Sequence, residues 1–410
     1  MIGSDAFDDW RRGQRAGFSD SPQVRGTIGH VLAVPEIVII CRTLGDARAR
    51  FGVAHFASTL IGVLLGQSDV PIREGGDDAP PGPEDLVLAL DAMETENGLH
   101  LVVRLLGPPA HRICWTGRHD LTTVAGADDW PERIRFANRI ADQALLHLPV
   151  RPGRHGRVIG SAVRRIHSYR SAELEGAAVM LRAVVHDVDA GPLGRALALA
   201  WGSFATLTRV LEFRDTANSQ IEQAVAAVDE AIRLAPAHPL VLALASQVVL
   251  RLGQDTDRAI TLAARAMRAD GDDPSALDVQ STALSLLGRR AEAERVAETA
   301  RLAAAGRFNS FCWDVQACLT ALAAGDLLCA QESARQAHRA EPGYRPALRY
   351  LLAIAMLRGD RDEAAVARTR LQRIEHDFRP TALIDPAYPM HMLHFLGLGR
   401  DLAPLIGDTA

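Results

Sequence analysis

The sequence predicts a mainly α-helical protein, in which a small amino-terminal α/β domain precedes a solenoid of helix pairs. Strand-like and helical patterns alternate between residues 36 and 148, whereas only helical patterns follow residue 157. In the second part glycines recur every 34 to 37 residues near the ends of apolar helical patterns, at Gly253, Gly288, Gly325 and Gly359. A repeat of that length is typical of helix-turn-helix solenoids.

The composition excludes several classes of function. The formal net charge is −5, so there is no basic field for non-specific DNA or RNA binding, and we expect no direct nucleic-acid contact. All 45 side chains counted as Lys or Arg are Arg. A P-loop, a pyridoxal phosphate site and a protein kinase site each need a lysine, and other catalytic motifs are missing too. We therefore expect no enzyme activity and no cofactor.

The cysteines predict a reducing, cytoplasmic location. There are five of them without a C-x-x-C pair, and they lie in apolar patterns, so neither a disulfide framework nor a zinc site is expected. The amino-terminal segment is acidic and polar, unlike a secretory signal peptide. The longest apolar run, Phe56 to Leu65, is shorter than a bilayer-spanning helix needs, and we expect no membrane contact.

The α/β domain is predicted over residues 35–149, after an amino-terminal arm over residues 1–34. Its apolar runs and turn signals predict strands at 36–41, 70–72, 85–92, 99–106 and 111–118, and helices at 47–66 and 129–148. A turn at Glu96-Asn97-Gly98 joins two of the strands into a hairpin. A linker then leads to the helical part.

Six helix pairs are predicted over residues 157–377. Prolines at 236, 274 and 342 fall between pairs, where the chain turns. The helices are predicted at 157–170, 171–187, 193–212, 219–234, 238–252, 255–269, 274–287, 290–304, 308–324, 327–340, 344–358 and 361–377. A carboxy-terminal cap over residues 378–410 departs from the repeat and is expected to cover the last exposed face.

The repeat pattern resembles the tetratricopeptide repeat. Five or six residues after each glycine stands one alanine, and seven residues later a second one lets the next repeat stack. These alanines are Ala259, Ala293, Ala330 and Ala364, then Ala266, Ala300 and Ala337, with Leu371 in the last repeat. The resemblance covers about residues 190–377, with an eroded copy upstream, and implies a protein-binding groove lined by the first helix of each pair.

The α/β region resembles the TolB-amino-terminal-like domain that precedes such repeats in bacterial regulators. The local match is Trp115-Thr-Gly-Arg118-His-Asp-Leu121, and the segment from Asp5 to Arg15 is similar to the activation-domain tail of SARP-type proteins. The resemblance to HilA-, CadC- and SARP-type regulators implies bacterial transcription control or signalling. Those families carry a winged-helix DNA-binding domain, which does not fit in residues 1–34, so we expect control through a partner.

Partner binding is predicted in the groove of the solenoid. We expect Arg251, Asp278, Val315, Arg349 and Met356 to contact a partner there, without catalysis. The groove is predicted to be mostly apolar, and its occupant is a partner helix, a second subunit of a homo-oligomer, or this chain's own ends. The positions expected to face inward are Leu240, Ala243, Gln247, Leu250, Ser275, Asp278, Thr282, Ser285, Cys312, Val315, Leu319, Leu322, Pro346, Arg349, Ala353 and Met356.

A second hypothesis is a small-ligand or nucleotide-linked sensor, similar to the repeat regions attached to adenylate cyclases. Its pocket is expected between the α/β domain and the first repeat, with anion contacts from Arg118, His119, Arg154 and Arg157. His391 and His394 have the spacing of two metal ligands on a helix, but the surrounding prolines and Phe395 favour packing, so no metal site is predicted.

Overall fold

The computed structural model describes residues 36–67, 70–76, 79–95, 98–121, 130–148, 155–213, 217–269 and 273–407. These described residues form one compact unit. The predicted amino-terminal arm, the segment from Asp5 to Arg15 within it, and Arg154 lie outside the described residues.

A five-stranded mixed sheet forms the first part of the fold. Its strands are β1 (Ile37–Leu44), β2 (Ile72–Glu74), β3 (Leu86–Thr95), β4 (Gly98–Gly107) and β5 (Arg112–Leu121). Their order in space is β2-β1-β3-β4-β5, with β1 parallel to β2 and β3 and with antiparallel pairing from β3 to β5. The predicted hairpin is observed, since Thr95 pairs with Gly98.

Two helices pack against each other and against the sheet: α1 (Ala47–Gln67) and α2 (Trp130–His147). The helical period of their apolar residues explains this packing, because Val53, Phe56 and Leu60 of α1 are buried against the strands. By length and composition alone α1 is also apolar enough to cross a membrane. In this fold its buried stripe belongs to the α/β core.

The second part of the chain is a tetratricopeptide-like solenoid. The six predicted helix pairs are observed, with boundaries that differ by a residue or two at most ends. They are α3 (Gly156–Ile166) and α4 (Ser171–His186), α5 (Pro192–Phe213) and α6 (Asn218–Leu234), α7 (Pro239–Arg251) and α8 (Thr256–Ala269), α9 (Pro274–Leu286) and α10 (Arg290–Ala303), α11 (Phe311–Ala324) and α12 (Leu327–Ala340), and α13 (Arg345–Leu357) and α14 (Arg361–Ile374). The first helices of successive pairs lie side by side and form the concave layer.

A short 3-10 helix (Pro380–Ile384) and the helices α15 (His391–Phe395) and α16 (Gly399–Gly407) follow the last pair. Tyr388, Leu393 and Leu402 of this segment are buried in one core with α11 to α14. The described part of the segment therefore covers the end of the solenoid.

The repeat glycines end first helices as predicted in three of four repeats. Gly288, Gly325 and Gly359 have φ angles of 73°, 85° and 73°, a conformation that a side chain disfavours. Gly253 differs, because the positive φ after α7 falls on Gln254. At Gly253 a Cβ would approach the Val249 carbonyl oxygen to 2.9 Å, so that glycine is needed for space.

The repeat alanines mark the places where helices touch. Those at positions 259, 266, 293, 300, 330 and 337 have no exposed surface. A larger side chain at these points would push the helices apart, since protein interiors are close-packed. Leu371, which replaces the second alanine in the last repeat, packs against the carboxy-terminal segment.

The solenoid curls until its first two pairs contact its last two. The Tyr169 ring, in the turn between α3 and α4, lies 4.5 Å from the Tyr344 ring before α13. Arg345 donates from Nη1 to the Tyr169 carbonyl oxygen at 3.0 Å, and its guanidinium group lies 4.7 Å from the centre of the Phe213 ring at the end of α5. The concave side is therefore partly enclosed by the chain itself.

The α/β part is tied to the solenoid by two buried polar side chains of α2. Asn138 donates from Nδ2 to the carbonyl oxygens of Ala303 and Ala305, at 2.8 and 2.9 Å. Asp142 accepts a hydrogen bond from the Phe308 backbone N–H at 2.7 Å. The loop between α10 and α11, residues 304–310, is thus held directly by α2.

Gly306 allows this loop to approach α2 closely. Its φ is 83°, and a Cβ built there would lie 2.1 Å from the Arg135 carbonyl oxygen. Glycine is therefore required at this position both by conformation and by space.

Candidate functional site

The concave side of the solenoid encloses a cavity of about 620 Å³. Side chains of α3, α5, α7, α9, α11 and the loop 307–309 line it, and α15 forms part of another wall. Most of the lining surface is apolar. A cavity of this size holds a small organic molecule with most of its surface buried.

Aromatic rings surround His167 at one end of the cavity. The centre of the imidazole lies 5.5 to 6.3 Å from the centres of the Phe308, Trp201, Phe204 and Tyr169 rings. The loop 304–310 supplies Phe308, so the α/β part helps to position this wall. Such rings favour a flat apolar ligand group.

His167 and Asn309 form a buried polar pair within this aromatic wall. Nδ1 of His167 lies 2.8 Å from the Val163 carbonyl oxygen, and Nε2 lies 3.0 Å from Nδ2 of Asn309. Burial lowers the pKa of His167 to about 4, so the ring is neutral at pH 7. Nδ1 therefore carries the proton and Nε2 accepts from the Asn309 amide.

A second polar group lies on α7 and α9. Oδ2 of Asp278 accepts from Nε2 of Gln247 at 2.9 Å and from Nη2 of Arg251 at 2.8 Å. Burial raises the pKa of Asp278, and the Arg251 charge opposes that rise. Beside this group, Gln316 of α11 donates from Nε2 to the Thr282 hydroxyl at 2.9 Å.

The structure brings most of the predicted groove positions together. Those that line the cavity are Leu240, Gln247, Leu250, Arg251, Ser275, Asp278, Thr282, Cys312, Val315, Leu319 and Pro346. The groove is mostly apolar, as expected. The helix α15 of the same chain forms part of one wall.

Six predicted groove positions are buried between helices instead: Ala243, Ser285, Leu322, Arg349, Ala353 and Met356. The sequence predicts that Arg349 and Met356 contact a partner, but these residues are only 2% and 8% exposed. The reason is that α5 and the carboxy-terminal segment both cover α13, which leaves no open face on that helix.

Arg349 is the centre of a buried ionic cluster. Its Nη1 lies 2.9 Å from Oε2 of Glu212, its Nε lies 2.7 Å from Oε1 of Glu375, and the Tyr388 hydroxyl lies 3.1 Å from Nε. Burial alone would lower the pKa of Arg349, but the carboxylates of Glu212 and Glu375 outweigh it, so the pKa is raised. The cluster joins α5, α13, α14 and the carboxy-terminal segment.

The described residues of the predicted anion site lie on β5 and on α3. Arg118 and His119 are neighbours on β5, so their side chains point to opposite faces of the sheet. Arg118 is exposed, whereas the His119 ring lies 5.0 Å from the Phe136 ring in the α/β core. Arg157, on α3, is exposed and donates to the Leu148 carbonyl oxygen at 3.3 Å.

His391 and His394 both lie on the short helix α15, and His391 lines the cavity. Burial lowers the pKa of His391, with smaller contributions from His394 and Arg251. Within the described part of the chain, no three His, Cys, Asp or Glu side chains form a group that fits a metal ion.

Comparisons with known proteins found partial similarity to several solved structures. No family model and no curated protein matches the sequence. PilF of Pseudomonas aeruginosa is 14% identical, over 52% of this chain and 89% of that one, with a TM-score of 0.38. PilW, a type IV pilus biogenesis factor, is 15% identical over 51% and 90%, with a TM-score of 0.37. YrrB, a TPR protein with an unusual peptide-binding site, is 17% identical over 50% and 91%, with a TM-score of 0.30.

Sequence reasoning missed the aromatic wall of the cavity. His167, Trp201 and Phe204 lie in the eroded first repeats, and Asn309 lies in a loop, where the repeat pattern gives no expectation of an inward position. A usable signal was the run of aromatic and polar residues from Arg307 to Trp313 between two alanine-rich helices.

We predict that His167 makes stability depend on pH. The unfolded imidazole takes up a proton near pH 6.5, whereas the folded one takes it up near pH 4. The contribution of His167 is therefore complete above pH 6.5 and is lost as pH falls toward 4, by about 3 kcal/mol. Denaturant unfolding of the wild type and His167→Gln across this range measures it, and the variant should lose less stability than the wild type.

Asp142 and Asp278, whose pKa values burial raises, act in the opposite direction in both proteins and cancel in the comparison. His376→Gln, at an exposed histidine, is the matched control and should behave as the wild type. Equal pH dependence of the wild type and His167→Gln would contradict the prediction.

We predict that Arg349→Met destabilises the fold by about 3 to 5 kcal/mol, because Glu212 and Glu375 would keep buried charges without their partner. Arg289→Met is the control, since Arg289 pairs with Glu292 at the surface, where water screens the ion pair and its loss should change stability little. Urea unfolding followed by circular dichroism measures both variants. A loss of stability in Arg349→Met no larger than that in Arg289→Met would contradict the prediction that the cluster holds the first and last pairs together.

Proposed function

We propose that this chain is a non-enzymatic regulatory module that binds a small ligand in the solenoid cavity. The observation that carries this proposal is the concave surface, which the chain itself partly encloses and where a cavity of about 620 Å³ has a mostly apolar lining and a few polar groups. That combination is typical of small-molecule sites. The cavity wall includes Phe308, whose backbone N–H donates to Asp142 of α2. Ligand binding there would therefore affect both the α/β part and the solenoid.

Transcription control or signalling in a bacterial cytoplasm is the setting that we propose. It is supported by the order of an α/β unit and tetratricopeptide-like helix pairs, and by the resemblance of the segment Trp115 to Leu121 to bacterial regulators. The cysteines, which are free, fit a reducing compartment. The regulatory output would pass to a partner that carries its own DNA-binding or signalling domain.

The ligand function is tested by filling the cavity. Val315 lines it and is 5% exposed, so we expect Val315→Trp to exclude a ligand. A thermal-shift screen of cell metabolites and nucleotides should find compounds that stabilise the wild type, by about 3 kcal/mol at a hundred times Kd. The same compounds should have no effect on Val315→Trp.

Val366→Trp is the matched control, because Val366 is 48% exposed on α14 and lies outside the cavity lining. It should respond to ligands as the wild type does, and circular dichroism checks that both variants keep their helices. Stabilisation of Val315→Trp by the same compounds would place their site elsewhere. An absence of any stabilising compound, together with no small molecule in native mass spectra of the purified chain, would contradict the proposal.

A second candidate function is protein binding at the mouth of the cavity, as in an interaction scaffold. It is favoured by Leu286 and Phe395, which line the cavity and yet are 39% and 58% exposed. An apolar partner segment would cover them. Affinity purification from native lysate should recover a partner with the wild type and lose it with Leu286→Glu.

Leu328→Glu is the control for this experiment, since Leu328 is 62% exposed on α12 and lies outside the lining. Recovery of the same partner with wild type and Leu286→Glu would contradict binding at the mouth. A charge at Met356 would not test this function, because that side chain is buried and the change would unfold the repeat.

A further inference from the structure

One face of the helix α1 is exposed although it carries no carboxylate and no guanidinium group. Its exposed positions after Arg50 are Phe51, His55, Ser58, Gly62 and Leu65, which we call the α1 strip. With about 3.6 residues per turn, they lie opposite the side of α1 that is buried against the sheet. Phe51 and Leu65 are 52% and 44% exposed. The solvent side of a helix is normally charged or polar, so the strip has the composition of a contact surface.

The packing of its own chain does not explain Gly62 within this strip. Outside the α1 backbone, a Cβ built on Gly62 would meet no atom of the described chain within 4 Å. A glycine inside a helix is less stable than an alanine, and here neither the helical backbone nor a neighbouring group requires it. Glycine allows another backbone to come close, so a second helix packed on the strip would give Gly62 a role.

The α1 strip is self-complementary about Ser58. Phe51 stands seven residues before Ser58, and Leu65 stands seven residues after it. Ala54 and Gly62 stand four residues before and after the same serine. When two copies of α1 cross antiparallel at Ser58, each large apolar side chain meets the other large one, and each small residue meets the other small one. A contact with a two-fold axis needs this matching, because the same patch meets itself.

The ends of α1 favour the antiparallel orientation. Arg48 and Arg50 lie in the first turn, where the positive end of the helix dipole disfavours a cation. The carboxylate of Asp46, which accepts from two backbone N–H groups there, offsets part of this cost. The last turn has no basic residue. An antiparallel second copy would bring its carboxyl end, with the negative end of its dipole, beside Arg50.

A lipid surface is the other contact that an apolar helix face suggests. Helices that lie on membranes carry many basic residues on their polar face, and anionic lipids attract positive charge. The described part of α1 has no Arg after Arg50, and the whole chain has a net charge of −5. Burial and the Arg133 charge lower the pKa of His55, so its ring adds no charge at pH 7. A second copy of the chain therefore fits the strip better.

We propose that two copies of this chain associate through the α1 strip, antiparallel and with the two-fold axis at Ser58. A single helix pair is a smaller contact than the about 800 Å² per partner of a standard interface, so the dimer is weak, with a Kd in the micromolar range. No residue of the strip lines the cavity. The inference thus goes beyond the proposed ligand function and does not depend on it.

Sedimentation velocity of the full chain, from about 1 to about 300 µM, should show a reversible monomer–dimer equilibrium. Gly62→Leu should raise the Kd about tenfold or more, because the new side chain holds the two helices apart. The monomer should keep its fold, since leucine favours helix and the space above Gly62 is open.

Gly202→Leu is the matched control for this measurement. Gly202 is also a helical glycine, on α5, and a Cβ built there would meet no atom of the described chain within 4 Å. It lies outside the α1 strip, so this variant should dimerise as the wild type does.

Cysteine cross-linking tests the orientation, in a background that carries Cys41→Ser, Cys114→Ser and Cys329→Ser at the exposed cysteines. Ser58→Cys should form a disulfide across the axis on mild oxidation. Ala47→Cys, at an exposed position eleven residues before Ser58, is the matched control. Its two thiols would lie about 33 Å apart in an antiparallel pair and should not join.

Each result decides for or against the dimer. A monomer at every concentration, or the same Kd for wild type and Gly62→Leu, would overturn the proposal. Equal cross-linking of Ala47→Cys and Ser58→Cys would overturn the antiparallel arrangement.

Cosedimentation with vesicles of phosphatidylcholine and phosphatidylglycerol tests the lipid alternative. Gly62→Leu adds apolar surface, so it would strengthen binding to lipid, whereas it weakens the pairing of two helices. We expect no vesicle binding by the wild type or by this variant. Binding by the wild type that Gly62→Leu strengthens would assign the strip to a membrane surface instead.

Discussion

The buried ionic cluster at Arg349 is the constraint on which the rest of the molecule depends. It joins α5, α13, α14 and the carboxy-terminal segment through Glu212, Glu375 and Tyr388. A desolvated guanidinium is tolerated only when every partner is in place, so the cluster favours one curvature of the solenoid over others. An open array of helix pairs presents a groove, whereas here the first two and the last two pairs touch and border a cavity with the volume of a small-molecule site.

The wall of the cavity is shared between the two parts of the chain. The loop 304–310 is hydrogen-bonded to Asn138 and Asp142 of α2, and it supplies Phe308 and Asn309 to the cavity lining. A movement of this loop must therefore alter either the contacts of α2 or the aromatic surroundings of His167. Packed interfaces have few alternative arrangements, so such a link transmits a change in one part to the other.

Local patterns predicted the helices, their pairing and the strands, because glycine, alanine and apolar spacing act over one or two turns. They also placed Arg251, Asp278 and Val315 on the cavity lining. They failed at Arg349 and Met356, since the cover over α13 comes from Glu212 and Tyr388, which are 137 and 39 residues away from Arg349. The pair of His167 and Asn309 spans 142 residues, and no periodicity of one sequence reports such a contact.

Closure also restricts how this architecture can change by duplication. Open solenoids gain or lose repeats with little effect on the others, because each repeat contacts its neighbours alone. Here Glu212 and Arg349 belong to the second and the sixth pair, and Tyr169 of the first pair bonds to Arg345 of the sixth. An added or deleted pair between them would separate these partners, so the number of repeats is fixed by geometry and change is confined to side chains.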